Sequence, residues 1–418
     1  LLIQLPLNQA RTTITVMAEA LGEMANGANG INGPNKTSSL RILVVGAGIG
    51  GLTAAIALRQ QGHKVVILEQ SRFATEAGAA IHLAPNANGL LRRLGIFAEE
   101  TGANPMQRFT EYTATGKETR SMSTEASSQM WQHPWLLAHR VHLHETLRKV
   151  ATRPDGKGQP AQLHTSSKVV EVDPINATIT TEDGVRYDGD LVLGADGVHS
   201  VTRIKVPGGS VKPFGSGKSA FRFLMKRKVA QDDPRTSKFV QRTGELAIWY
   251  GADRRIVMYP TSNNELLNFV NIHPESESEA SGDWNTQANL DKMLEVYKDF
   301  DPAVLALLGK ADPESLKVWK LLDMPILPTW INERLALLGD AAHPFLPHQG
   351  QGGGCAIEDA ASLAVCFPAD TPLSEVPARL KLYEKIRYER ANRIQEYSRI
   401  AGHDLRDNVK LDSTFATV

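Results

Sequence analysis

Three stretches of the 418-residue chain have residue types and spacings that could carry chemistry. The first is Gly46-Ala47-Gly48-Ile49-Gly50-Gly51, followed by Glu69 at the end of an apolar run. Gly46, Gly48 and Gly51 fit a G-x-G-x-x-G spacing: one glycine for a tight turn, one for close approach of a pyrophosphate, one for helix–strand packing. An acid about twenty residues on can hydrogen-bond a ribose hydroxyl. The second is "GADGVHS", with Asp196-Gly197 at the end of another apolar run; taken alone, it is a strand ending in an Asp-Gly turn. The third runs "RLALLGDAAHPFLPHQGQGGGC", an apolar run that breaks into Asp340 and then into Gly350, Gly352, Gly353 and Gly354. An acid there can bind a polyol hydroxyl, and a helix starting at the glycines can offer its positive end to an anion; a plain glycine loop is the alternative.

The elements that must position these residues are legible around them. "LRILVVGAGIGGLTAAIALRQQGHKVVILEQ" reads as a buried strand, a glycine turn, a helix over about 50–61 and a second strand, which makes a βαβ unit. Residues 161–195 read as a small antiparallel excursion returning to a buried strand. Residues 217–275 ("KSAFRFLMKRK", "ELAIWYG", "RRIVMYP", "ELLNFVNI") read as a mainly antiparallel sheet. Residues 289–322 read as helical, as do about 351–366 and the charged stretch 375–403. The fold class is therefore α/β with α+β elements: a Rossmann-like dinucleotide-binding domain, an inserted antiparallel-sheet substrate domain and a C-terminal helix. The expected division is a disordered tail at 1–39, a discontinuous nucleotide-binding domain at 40–210 and 331–366, a substrate domain at 211–330 and a helical segment at 367–418.

Composition narrows the class. Lys+Arg and Asp+Glu are 46 each, so nothing marks a nucleic-acid binder. No apolar run approaches the roughly 20 residues that span a bilayer, so no transmembrane segment is expected. Cys355 and Cys366 fall on one predicted helix about 16 Å apart, too far for a disulfide. Two free thiols suit a reducing, cytoplasmic location. No metal-ligand spacing stands out, and His82, His139, His142 and His144 form none.

Together these stretches, with "AGAAIHLAPNANGLLRRLGI" and "AHRVHLHETL", resemble the FAD-dependent aromatic hydroxylases, the single-component flavoprotein monooxygenases of the salicylate hydroxylase type. The resemblance covers residues 40–400. It implies that Gly46, Gly48, Gly51 and Glu69 bind the ADP half of FAD and that Arg140 reaches the flavin. It implies that Ala80 contacts FAD through its backbone and that Asp196 serves FAD and the nicotinamide cofactor. Asp340 would hold the ribityl chain and Gly353 would lie by the isoalloxazine. This sequence departs from the family pattern at Ala80, where glycine is usual, and near Cys355, where many members carry Asn. No second G-x-G-x-x-G unit is visible, so NAD(P)H is expected to dock transiently as reductant.

The implied reaction is NAD(P)H- and O2-dependent hydroxylation of a small phenolic or other aromatic substrate through a flavin C4a-hydroperoxide. The same scaffold admits epoxidation of an alkene, and a non-catalytic FAD-fold binder is the rival of another class. The W-x-W-x-I-P signature of flavin halogenases is absent. Arg222, in "AFRFL", points away from Phe221 and Phe223 in a strand and is the candidate for a substrate carboxylate or phenolate, with a plain salt bridge as the alternative. Tyr250 is the expected pocket tyrosine and Tyr259 its competitor. His343, before Pro344, reads as structural. The long charged helix can cap the sheet or contribute to a homodimer.

Overall fold

The computed structural model describes residues 39–72, 80–278, 280 and 286–403. The expected N-terminal tail, apart from Ser39, lies outside the described residues, as do Gly78 and Ala79.

The first sheet has six strands in the order Ile331–Asn332, Leu335–Leu337, Leu191–Gly194, Arg41–Val45, Lys64–Leu68 and Gln162–His164. All neighbours are parallel except the Ile331–Asn332 edge. Its central strands read as unbroken apolar runs because both faces are covered. Leu43, Val44, Leu191, Val192 and Leu193 are fully buried. The helix Ile49–Gln60 buries Leu52, Ala54, Ala55, Ile56 and Leu58. Each large apolar side chain among these contributes about 1.5–3 kcal/mol, so this helix needs little help from its ends.

The second sheet has seven strands in the order Lys317–Asp323, Phe214–Lys226, Leu266–Pro274, Arg255–Thr261, Glu245–Tyr250, Arg108–Thr113 and Glu118–Ser123. Two differences from the sequence reading appear here. Strands Arg108–Thr113 and Glu118–Ser123 come from the stretch assigned to the nucleotide-binding domain, yet they extend this sheet through a parallel pairing with Glu245–Tyr250. Residues 317–323, read as helical, form an edge strand paired with Phe214–Lys226, after short helices at Leu290–Val296 and Pro302–Leu308. Both faces of this strand are covered: Val318 packs in one apolar cluster, Trp319 and Leu321 in another.

One face of the seven-stranded sheet is closed by those two short helices through Met293, Val296, Val304, Leu307 and Leu308 against Phe221, Phe223, Trp249 and Phe269. The other face turns toward the small sheet of Ala80–Leu83, Leu136–His139 and Asn104–Pro105, where Leu137, Leu246 and Tyr259 pack together. Leu346, from the loop after Asp340, packs on the same face against Ala220, Ile272 and Trp319. The C-terminal helix Val376–Ile400 buries one stripe, Val376, Leu380, Tyr383, Arg387, Ala391, Gln395 and Ser398. Among the described residues no helix is long and apolar enough to cross a membrane.

Candidate active site

The fingerprint turn is built by contacts only glycine allows. Gly46 has φ +99°, and a Cβ there would lie 2.5 Å from the Ala195 carbonyl oxygen; a Cβ on Gly51 would lie 2.1 Å from the Gly46 carbonyl oxygen. Gly48 is different: a Cβ there would meet nothing within 4 Å. The two outer glycines therefore close the turn, and the middle one borders open space. Gly48 caps the helix Ile49–Gln60 with no side-chain hydrogen bond, and the first turn carries no acid. Such an end leaves N–H groups for an anion.

The Ala47 peptide is held on both sides. Glu69 Oε2 accepts from its N–H at 2.8 Å, while Oε1 accepts from the Ser71 N–H at 2.7 Å. His144 Nε2 lies 2.7 Å from the Ala47 carbonyl oxygen and donates to it. This bond is a role that the histidine spacing on the helix Arg140–Thr152 does not announce in the sequence.

Asp196 organises its own loop. It accepts from Ser200 Oγ (2.7 Å), Thr202 Oγ1 (2.6 Å) and the N–H groups of Val201 and Thr202 (2.8 and 3.0 Å). With four donor groups within hydrogen-bond distance of one carboxylate, Asp196 shapes the loop. Arg203, 2% exposed, then ties this loop to the next: its guanidinium donates to the carbonyls of Gly197 (3.1 Å), Val198 and Ala341 (2.9 Å).

Asp340 is solvent-accessible, yet protein crowds round it, as on the floor of a cleft. That crowding pushes its carboxyl above the usual range, opposed by His343, Arg140 and Arg203. The structure thus brings Asp340, Arg140 and Arg203 together from three sequence stretches. Gly339, before Asp340, has φ +60°; its N–H donates to Asp359 Oδ2 at 2.9 Å. The fully buried Asp359 also accepts from His343 Nε2 (2.7 Å) and Arg387 Nε (2.8 Å). Burial alone would raise the Asp359 carboxyl; His343, Arg387 and the Gly339 N–H outweigh it and hold it below its ordinary value. His343, expected to be structural, is part of this brace.

The glycine loop leads into the helix Gly352–Cys366, which has no side-chain cap and no acid in its first turn. This helix packs on the fingerprint helix closely enough that a Cβ on Gly50 would meet Ala356 Cβ at 3.2 Å. At its start the loop meets the strand Ala80–Leu83: a Cβ on Gly353 would lie 2.5 Å from Ile81 Cδ1, and one on Gly350 3.1 Å from His82 Nδ1. Ala80, the residue expected to meet FAD through its backbone, donates its N–H to Asn268 Oδ1 at 3.1 Å.

Beyond His82 lies the inner face of the seven-stranded sheet. The His82 ring stands edge-on to Tyr259 at 4.6 Å, and burial lowers its pKa to about 4, so it is neutral at pH 7. Arg222, 4% exposed, lies over the Trp319 ring at 4.9 Å on this same face. Register sets the spacings: Arg222 pairs with Val270, Val270 with Val257 and Val257 with Ile248. Tyr259 is two residues along from Val257, two strands from Arg222, so their Cα atoms are about 12 Å apart. Tyr250 is two residues along from Ile248, three strands away, about 16 Å. Burial raises the Tyr259 phenol and the charge of Arg222 opposes it. Tyr250 instead neighbours Glu111 and Arg255, with the Arg255 guanidinium 5.7 Å from its ring. Tyr259 therefore has Arg222 and His82 among its neighbours, whereas Tyr250, the tyrosine preferred from the sequence, stands one strand further out on the same face.

These features fit an FAD: an open cradle at Gly48 between two closed glycine contacts, two uncapped helix starts, and an accessible acid in a crowded cleft between them. Comparison with known proteins agrees. Residues 39–398 match the family model described as an FAD binding domain. The chain is 33% identical over 366 residues to hispidin-3-hydroxylase of Neonothopanus nambi, covering 85% of this chain and 86% of that protein. It is 32% identical over 365 residues to 3-hydroxybenzoate 6-hydroxylase 1 of Aquipseudomonas alcaligenes, covering 86% and 88%. A solved salicylate hydroxylase substrate complex superposes with TM-score 0.72 at 25% identity, covering 91% of this chain and 92% of that one. The chain belongs to the FAD-binding-domain family of flavoproteins and is an FAD-dependent monooxygenase of the aromatic hydroxylase type.

Proposed function

We propose that the chain hydroxylates a small phenolic substrate, using NAD(P)H and O2, on the inner face of the seven-stranded sheet. The observation that carries this reading is the meeting of Arg222, Tyr259 and His82 where the Gly350–Gly353 loop arrives. Relatives named for action on hispidin and on 3-hydroxybenzoate support a phenolic substrate.

The cradle of Gly46, Gly48 and Gly51 with Glu69 would hold the ADP half of FAD. Asp340 and Arg140 would hold the ribityl and flavin end, with Gly353 beside the ring. Bound FAD supplies the redox chemistry: it takes electrons from NAD(P)H and activates O2 for transfer of one oxygen atom. The residues of the chain do the rest. Arg222, a fixed cation with a planar fork of donors, binds a phenolate or carboxylate oxygen. Tyr259, kept protonated by burial, donates to substrate oxygen. His82 stays neutral beside Tyr259, so it can accept a phenolic proton in a hydrogen bond without adding charge. Leu137, Leu246 and Leu346 keep water from the space between.

The nucleotide-binding unit is then 40–210 and 331–366 less the 108–123 hairpin, which joins the substrate unit at 211–330. The buried free thiols of Cys355 and Cys366 favour a reducing compartment.

The test is turnover of the FAD-loaded protein under 18O2 with NADH or NADPH and a panel of phenols, pyrones and alkenes. One phenolic substrate gaining a single 18O-labelled hydroxyl is expected. Label entering only alkenes, as epoxides, would replace this reading.

A further inference from the structure

Asn268 is fully buried in the strand Leu266–Pro274. It lies on the inner face, directly opposite Tyr259 on one side and Leu224 on the other. Its Oδ1 accepts the Ala80 N–H at 3.1 Å. That bond fixes which way the amide points, because a backbone N–H demands an oxygen. Nδ2 must therefore face the other way, and there it is buried with no hydrogen-bond partner. A buried donor without an acceptor is costly and rare. Tyr259 is 4% exposed beside it, and Arg222 sits on the same face one strand over from the Asn268 strand. The polar side chains that register and ring contact place on this part of the face are thus the phenol of Tyr259, the guanidinium of Arg222 and the neutral imidazole of His82 against Tyr259. Nothing in this set carries negative charge.

We propose that Asn268 determines specificity: Nδ2 donates to an acceptor oxygen on the substrate ring, a carbonyl or carboxylate, in addition to the hydroxyl that marks the ring as phenolic. The inference rests on the phenol-hydroxylase reading above and narrows its substrate class to phenols carrying a second oxygen function. One side chain then does two things. Oδ1 anchors the strand bearing Ile81 and His82, and Nδ2 reads the substrate. A site built to donate to such an oxygen rejects an analogue lacking it, because the donor is left orphaned.

The experiment uses the full chain loaded with FAD, without NAD(P)H, and reads dissociation constants from the change in flavin absorbance. The probes are hispidin, 3-hydroxybenzoate and 3-methylphenol, the last having a methyl group where 3-hydroxybenzoate has its carboxylate. The wild type is expected to bind at least one of the first two tenfold or more tightly than 3-methylphenol. Asn268→Asp keeps an oxygen for the Ala80 N–H and exchanges the donor for an acceptor. It is expected to weaken the preferred probe at least tenfold and leave 3-methylphenol within twofold, with FAD content unchanged. Hispidin separates donor loss from simple charge repulsion of a carboxylate. No preference in the wild type, or equal weakening of all probes in Asn268→Asp, overturns the proposal. Should the variant lose FAD, Asn268→Leu, which removes the Nδ2 donor without adding charge, is read by the same comparison, and equal weakening of all probes overturns the proposal. The two readings fail separately: an intact binding pattern without 18O product removes hydroxylation, and product without the pattern removes the role of Asn268.

Discussion

The Gly339 N–H donates to Asp359 Oδ2 at 2.9 Å, so a carboxylate buried in the helix after the glycine loop holds the left-handed turn that presents Asp340. Asp359 is twenty residues downstream of that turn and touches it only because the helix Gly352–Cys366 doubles back. Arg387, from the C-terminal helix, completes the brace and also meets Glu358 at 2.7 Å. The C-terminal helix thus does more than cover the sheet. Its Tyr383 hydroxyl donates to the Leu337 carbonyl, Gln395 Nε2 to Pro344 and Ser398 Oγ to Leu346, one bond after another along the loop that carries Asp340.

Removing the brace should cost stability. Arg387→Met leaves Glu358 and Asp359 buried with fewer counter-charges, and a loss of about 3–5 kcal/mol is expected. Urea unfolding of the FAD-free protein measures it. A change below about 1 kcal/mol would mean that water enters and solvates the pair.

The same cluster sets an acid limit. Burial would raise the Glu358 carboxyl, but Arg387 and Arg390 hold it well below its ordinary value, as His343 and Arg387 hold that of Asp359. Groups depressed on folding contribute stability in full above the unfolded carboxylate pKa of about 4 and lose it as pH falls further. Stability from this cluster should be level between pH 5 and 7 and fall below pH 4. Glu358→Gln should flatten that fall, as followed by urea midpoints across the pH range.

Asp340 should behave in the opposite sense. Its carboxyl is raised by the crowding around it, so its charged form is disfavoured by the surrounding protein. Asp340→Asn is expected to leave the FAD-free protein equally or more stable while weakening FAD about 10- to 100-fold, the value of one charge-assisted hydrogen bond. Fluorescence titration of the apoprotein with FAD and thermal melts of both forms check the two halves. Unchanged FAD affinity would remove Asp340 from the cofactor site.

Gly51→Ala puts a methyl group 2.1 Å from the Gly46 carbonyl oxygen, whereas Gly62→Ala meets no atom within 4 Å and carries only the strain of φ +94°. Gly51→Ala should cost about 3 kcal/mol and abolish FAD retention; Gly62→Ala should cost about 1–2 kcal/mol and keep it. Parallel flavin content and urea midpoints distinguish them.

Much of this was legible in the chain itself. The strand–turn–helix of 41–60 and the strand ending at Leu337 announce themselves through unbroken apolar runs and glycines, since both depend on local sequence. Arg222 could be assigned a face from Phe221 and Phe223 alone. What the sequence left hidden depended on long-range pairing. Tyr250 and Tyr259 look alike locally, and only the register of Arg255–Thr261 between its two neighbours decides which one stands near Arg222. The hairpin at 108–123 gave no sign that it would leave one sheet for another. Arg387, Gln395 and Ser398 occupy the buried stripe of a charged helix, where polar residues read as solvent-facing until their backbone partners are known.

The central claim is that Arg222 and Tyr259, on the face reached by the glycine loop, bind the phenol that is hydroxylated. Anaerobic stopped-flow reduction of the FAD-loaded enzyme by NADH and NADPH, with and without phenolic acids and pyrones, tests it most directly. The expected result is that one phenol accelerates flavin bleaching, that Arg222→Met weakens its effect about 30-fold or more and Tyr259→Phe about 5-fold, and that Tyr250→Phe leaves it unchanged. Flavin reduction that ignores every phenol, or that responds to Tyr250→Phe and not to Arg222→Met, would contradict the account.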